Sequence, residues 1–172
     1  MTTPIATPFD ADAISLRPMQ DTDVAAVRSL HARAFAGLAT DWHTPQQIAA
    51  HIALIEDAPY RDDLWRSHMT LAHVRQVMVA TSGWLMVDGT AATARIRKVF
   101  VDPAMARRGL GSLMVDHAER QARAAGCRRL IVRVNVNAVG LYIKLGYRET
   151  AKATMAVAGG VELPVVMMEK LT

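Results

Sequence analysis

The chain of 172 residues contains one cysteine, Cys127. That excludes an intrachain disulfide and a cysteine-rich zinc module. The lone thiol reads as a small buried residue rather than a nucleophile, in a reducing compartment. Aromatic residues are scarce, at 5%. They do not interleave with the basic residues as base stacking on a nucleic acid requires. No run of 18 apolar residues occurs, which excludes a spanning helix, and no membrane partner is expected. Residues 1–13 hold Pro4, Pro8, Asp10 and Asp12 but no basic stretch leading into an apolar one. They read as a loose N-terminal tail, not a signal peptide. Hydrophobic residues at 51% and charged residues at 21% are those of a globular protein. The length fits one domain over 1–172. A cytoplasmic protein is expected.

Charge is present but uneven. Residues 95–133 carry ten basic side chains against three acids, Asp102, Asp116 and Glu119. Such a segment is either a set of solvated faces or a site for an anion.

Ile14 to Arg17 alternates as an opening strand does. Asp21 to Asp23 are cap-type residues before a helical spacing of Val24, Val27, Leu30, Ala34 and Phe35. Thr44-Pro45 starts a second helix through Ile48, Ile52 and Ile55. Residues 57–66 are polar and read as a loop. Strands are expected at Met69–Val74, Val77–Val87 and Ala94–Val101, with a bulge or close approach at Gly83. A helix carries Leu110, Met114, Ala118 and Ala122 on one stripe and stops at Gly126. Leu130–Val134 is a short buried strand, and Asn137 can cap a helix that ends at Gly146. Two strands near Tyr147–Val157 and Val161–Met168 flank Gly159-Gly160, and they either finish the sheet or form a homodimer face. The order predicts a mixed α/β sheet, largely antiparallel, with one parallel strand–helix–strand crossover.

The stretch from Val99 to Ser112 ends a strand, turns, and opens a helix with Gly109 and Gly111. Free backbone N–H groups and the helix dipole favour an anion there, and glycine lets a phosphate come close. Arg107 and Arg108 add guanidinium charge. No Gly-Lys-Ser/Thr follows, which excludes a Walker loop. No acid ends the next strand, which excludes a dinucleotide fingerprint.

A second stretch, Asn135 to Tyr147, matches N-x-x-A-x-x-x-Y-x-x-x-G-[FY] through Asn135, Ala138, Tyr142, Gly146 and Tyr147. With Gly109 and Gly111, it resembles the GNAT superfamily of acetyl-CoA-dependent N-acyltransferases. Thr81 to Trp84 looks like the Gly-Trp often found on an earlier strand of that family.

The resemblance implies a fold with helices on both faces of the sheet and a V-shaped splay between strands 94–101 and 130–134. It implies acetyl-CoA as co-substrate and no metal. The backbone from Ala106 through Arg107, Arg108, Gly109, Leu110 and Gly111 to Ser112 would cradle the pyrophosphate. Val99, Phe100 and Val101 would pair with the pantetheine amides as an added strand does. Asn135 would hydrogen-bond the pantetheine or orient the splayed strand, and Asn137 would belong to the same cofactor site. Tyr142 would protonate the departing thiolate. One position departs from the family pattern: its usual Gln or Arg is Ala106 here.

Direct attack needs a neutral amine and a protonated leaving thiolate. A phenol near pKa ~10 keeps its proton at neutral pH and can stabilise a thiolate whose thiol sits near ~8.5. For the amine, many family members carry an acid on the strand before the phosphate loop. Thr90 to Val101 contains none. That absence points to a less basic amine, a water-relayed base, or a base elsewhere. Asp41, His43, Glu56, Asp62 and His68 lie in the first half of the chain, and none is singled out. Arg95 and Arg97 alternate and so share a face, where they would hold a carboxylate or phosphate of the acceptor. Trp84, with Trp42 and Trp65, would line the acceptor pocket or pack in the core. His68 and His73 fall on opposite faces of a strand, against a metal pair.

The expected activity is acetyl transfer to a primary amine of a small molecule or peptide. Two alternatives remain: a non-catalytic acyl-CoA-binding regulatory module, and an acetyltransferase acting on charged tRNA. The missing aromatic interleaving disfavours the second.

Overall fold

The computed structural model describes residues 14–90 and 92–172. The expected tail over 1–13 lies outside them. The chain runs β1 (Ile14–Pro18), α1 (Val24–Leu38), α2 (Pro45–Glu56), α3 (Ala58–Trp65), β2 (Thr70–Val74), β3 (Val77–Met86), β4 (Thr93–Val101), α4 (Leu110–Ala124), β5 (Arg129–Asn135), α5 (Val139–Lys144), β6 (Arg148–Ala156) and β7 (Glu162–Leu171). Seven strands form one sheet in the order β1-β2-β3-β4-β5-β7-β6. Among the described residues only β4 and β5 pair in parallel, joined across α4.

Local chemistry sets these boundaries. Thr44 and Gln47 close a capping box with Pro45 at the first helical position. Gly126, at φ +91°, ends the α4 segment as a left-handed glycine does. At Gly83 the β3–β4 register shifts, and an added Cβ would sit 2.6 Å from Met69 Sδ. The close approach expected there is real.

Residues 58–65, inside the segment expected to be a loop, form α3 instead. The Asp57 carboxylate accepts from Ala58 N–H at 2.9 Å and caps it. Tyr60 and Leu64, four residues apart, bury one stripe of this polar helix. Two buried positions in eight residues are too few to show a period.

Sheet parity sorts the core. Trp84, Ile96, Val132 and Met168 face α4 and pack with its Val115 and Ala118 and with Tyr142 of α5. The opposite face carries Phe35 of α1, Ala50 of α2, Phe100 and Leu163. Cys127 is fully buried. Glu119 is buried on α4 and is held by Arg123 at 2.6 Å and by Lys170 of β7 at 2.8 Å. Among the described residues, no helix is long and apolar enough to cross a membrane.

Candidate active site

β4 and β5 stop pairing halfway along. The ladder runs from Thr93↔Arg129 to Ile96↔Val132 and ends. β4 continues to Val101 against β3, and β5 continues to Asn135 against β7. Past Ile96 the β4 edge that faced β5 therefore has backbone N–H and C=O groups with no strand to pair with. A bulge adds to the opening. Lys98 takes a left-handed backbone at φ +55°. Its carbonyl accepts from Thr81 Oγ1 at 2.7 Å.

That bond fixes a longer chain. The Thr81 hydroxyl spends its proton on Lys98, so it accepts from His31 Nε2 at 2.8 Å. His31 Nδ1 then accepts from the Tyr60 hydroxyl at 2.7 Å. His31 is neutral in this arrangement. Full burial and then the charge of Lys98 hold its pKa well below the usual value.

The parted strands open into a cleft of about 1190 Å³, larger than the usual 300–1,000 Å³ of a small-molecule pocket. At one end lies the loop after β4. Asp102 accepts from Ala104 N–H at 3.0 Å and starts a short 3-10 turn over Pro103–Met105. Arg107 (φ +62°) and Gly109 (φ +84°) then turn the chain into α4. Gly109 has no heavy atom near its missing Cβ, so it is there for its backbone angle. Gly111 differs: a Cβ would lie 3.1 Å from Leu141 Cδ2, so it lets α5 approach α4.

Val99, Phe100, Val101, Ala106, Arg107, Gly109, Leu110, Gly111, Ser112, Asn135, Asn137 and Tyr142 all line this cleft. Arg108 does not; it is exposed. Asn137 sits within a 3-10 turn rather than capping α5, and its Nδ2 donates to the Leu38 carbonyl at 3.1 Å. Its Oδ1 is buried without a partner. An orphaned acceptor there and a free strand edge opposite suit an amide-bearing ligand between β4 and β5. Tyr142 is buried and meets Tyr147 edge to face at 5.2 Å. Burial, then the charge of Glu119, raises the Tyr142 pKa and keeps its hydroxyl protonated.

The other end of the cleft is cationic. Arg95 and Arg97 share one sheet face and both line it, with Arg133 of β5 beside them. Sequence reasoning missed Asp63, which the hidden helix α3 projects into this wall. Asp63 pairs with Arg97, with Lys98 at 2.8 Å and with Arg66 at 3.5 Å. Burial opposes its charge, but Lys98 and Arg97 outweigh that and lower its pKa. Lys98 stands 3.5 Å from the centre of the Tyr60 ring. Burial pulls its pKa down to about 8. His51 also lines the cleft, with both ring nitrogens buried and unpartnered. Its burial lowers its pKa to about 4.

Trp84 packs in the core and does not line the acceptor pocket. It pairs in register with Ile96, not with Arg95 or Arg97, and so points to the α4 side of the sheet. It stacks on His68 at 4.4 Å, away from the cleft. Trp42 does line the cleft, at its exposed rim, and Trp65 does not. Of the five candidate bases, only Asp41 lines the cleft. The basic segment divides accordingly. Arg120, Arg123 and Arg129 pair with acids outside the cleft, whereas Arg95, Arg97, Lys98, Arg107 and Arg133 line it.

No curated protein sequence matches this chain. Solved structures do. A GCN5-related N-acetyltransferase from Rhodopseudomonas palustris is 22% identical, with all of both chains covered and a TM-score of 0.82. The PaiA N-acetyltransferase of Thermoplasma acidophilum, solved with coenzyme A, is 13% identical with a TM-score of 0.71, over 92% of this chain and 99% of that one. The ribosomal-protein-S18-alanine N-acetyltransferase of Escherichia coli is 20% identical with a TM-score of 0.63, over 92% and 93%. At these identities the likeness is one of fold. The acetyltransferase (GNAT) family model matches residues 26–147, which take in the parted strands, the Gly109 loop and Tyr142. The chain belongs to the GNAT acetyltransferase family.

Proposed function

We propose that the protein transfers an acetyl group from acetyl-CoA to a primary amine of a small molecule or peptide. The observation that carries this is the parting of β4 and β5 past Ile96 and Val132, with the Gly109 loop at one end and Tyr142 on the wall. Backbone N–H groups from Ala106 to Ser112, with Arg107, hold the pyrophosphate. The free edge at Val99, Phe100 and Val101 pairs with the pantetheine amides, and Asn137 Oδ1 accepts from one of them. Asn135, at the end of β5, orients the parted strand.

The acceptor nitrogen attacks the thioester carbonyl, a C–N bond forms, and the C–S bond breaks. Tyr142 gives its proton to the leaving sulfur and regains one from the acylated nitrogen through water. A raised pKa keeps Tyr142 protonated until the sulfur carries charge. Ala106, where the family has Gln or Arg, leaves the cradle to backbone amides and Arg107. The buried, unpaired Cys127 suits a reducing compartment such as the cytoplasm.

The test is release of free CoA thiol from acetyl-CoA across a panel of amines, wild type against Tyr142→Phe. Amine-dependent release that collapses in the variant supports transfer. Tight acetyl-CoA binding with no release for any amine would favour a regulatory acyl-CoA-binding module.

A further inference from the structure

Arg95, Arg97 and Arg133 put three guanidinium groups on one face of the sheet, flanking the point where the strands part, Arg95 before it and Arg97 and Arg133 just past it. Ile96 pairs with Val132, so Arg97 and Arg133 occupy neighbouring register positions. Lys98 adds a fourth cation. The one carboxylate these side chains meet among the described residues is Asp63, and it is already shared by Arg97, Lys98 and Arg66. The Nε atoms of Arg95 and Arg97 are buried without a hydrogen-bond partner. Desolvation, then the like charges of Arg95 and Arg97, lowers the pKa of Arg133. A wall of mutually repelling, under-bonded guanidinium groups becomes favourable once an anion sits among them.

The CoA phosphates are not that anion. Their cradle begins past the C-terminal end of β4, and Arg95 lies six residues back from Val101, about 20 Å at the rise of a strand. Arg97 is itself the first β4 residue past the last pair with β5, Ile96↔Val132, so it stands where the edge of β4 comes free. An anion on the arginines therefore places a group a few bonds away at the point of transfer.

We propose that Arg95, Arg97 and Arg133 form an anion subsite for the acceptor, which is an amine carrying a carboxylate or phosphate group a few bonds from its nitrogen. This rests on the acetyl-transfer reading of the same cleft. The flat, two-pronged guanidinium fits either oxyanion. Acid and amine then enter together, the acid fixed on the arginines and the nitrogen directed toward the free edge of β4.

Matched amines test it. Rates of thiol release are compared for 4-aminobutyrate against butylamine and for phosphoethanolamine against ethanolamine. The expected result is a kcat/KM at least about tenfold higher for the anionic member of one pair, and the favoured pair names the anion. Arg95→Gln and Arg133→Gln each raise KM for that anionic amine about tenfold, as the loss of a charge-assisted hydrogen bond should. Glutarate and inorganic phosphate, which have no amine, are titrated separately by calorimetry without acetyl-CoA. Arginine-dependent binding of one of them is expected. Binding of neither, or neutral amines used as well as their acidic partners in both pairs, overturns the anion subsite. Arginine-dependent glutarate or phosphate binding by a protein that does not bind acetyl-CoA overturns the transfer reading instead.

Discussion

Ile96 and Val132 are the last residues at which the two central parallel strands touch in register. Two residues later Lys98 reverses its φ to +55°. The sheet stays whole because β3 holds the rest of β4 and β7 holds the rest of β5. A wedge-shaped opening results, and every functional element described above faces it.

Tyr142→Phe keeps the buried ring and its contact with Tyr147 but loses the proton. The expected outcome is a fall in kcat of about 100-fold or more, the usual range for a lost general acid, with the acetyl-CoA dissociation constant little changed. Steady-state kinetics beside calorimetry reads both. A variant with full kcat would remove Tyr142 from the proton step.

The two loop glycines separate by mechanism. Gly109→Ala meets no atom but must hold φ +84°, so it costs about 1–2 kcal/mol. Gly111→Val drives a side chain toward Leu141 Cδ2, 3.1 Å from where its Cβ would be. It costs about 1–3 kcal/mol as overpacking. Leu141→Ala should relieve Gly111→Val in part and leave Gly109→Ala untouched, a double-mutant cycle in urea denaturation.

His51 makes stability fall in mild acid. The unfolded histidine takes its proton near 6.5, while burial holds the folded one to about 4. Between those values the unfolded state binds more protons, so lowering pH favours unfolding. From pH 7.5 to 5 the cost is about 2 kcal/mol. His51→Phe should flatten that part of the pH dependence. An unchanged slope would mean the folded ring takes a proton freely.

Glu119 ties α4 to β7 through Lys170 and anchors Arg123 from a buried position. Glu119→Ala strands the Lys170 ammonium over the Tyr147 ring, 5.5 Å from its centre. A loss of about 2–3 kcal/mol is expected, less than a fully buried pair because both cations reach solvent. Chemical denaturation at pH 7 measures it.

Much of this site is legible in the sequence. Gly109 and Gly111 before a helical stripe, and Asn135 to Tyr147, mark the loop and the wall because their spacing is local. What could not be read depends on the sheet. Asp63 lies on α3, whose two buried residues give no period, and it matters only because Arg97 and Lys98 come from 34 and 35 residues away. The sequence leaves Trp84 open between the acceptor pocket and the core, because the face of a strand residue is set by its register with β4. A shift between Thr81 and Gly83 interrupts that register. Lys98 gave no signal of a left-handed backbone, since lysine has no preference for one.

The most direct measurement is a calorimetric titration of the protein with acetyl-CoA, wild type beside Gly109→Asp. A carboxylate at position 109 would meet the pyrophosphate across an open loop with no other atom in the way. Binding by wild type, weakened about 100-fold or more in the variant, is the expected result. That loss amounts to about 3 kcal/mol. No binding by wild type, or equal binding by both proteins, would contradict the assignment of the cleft to acetyl-CoA.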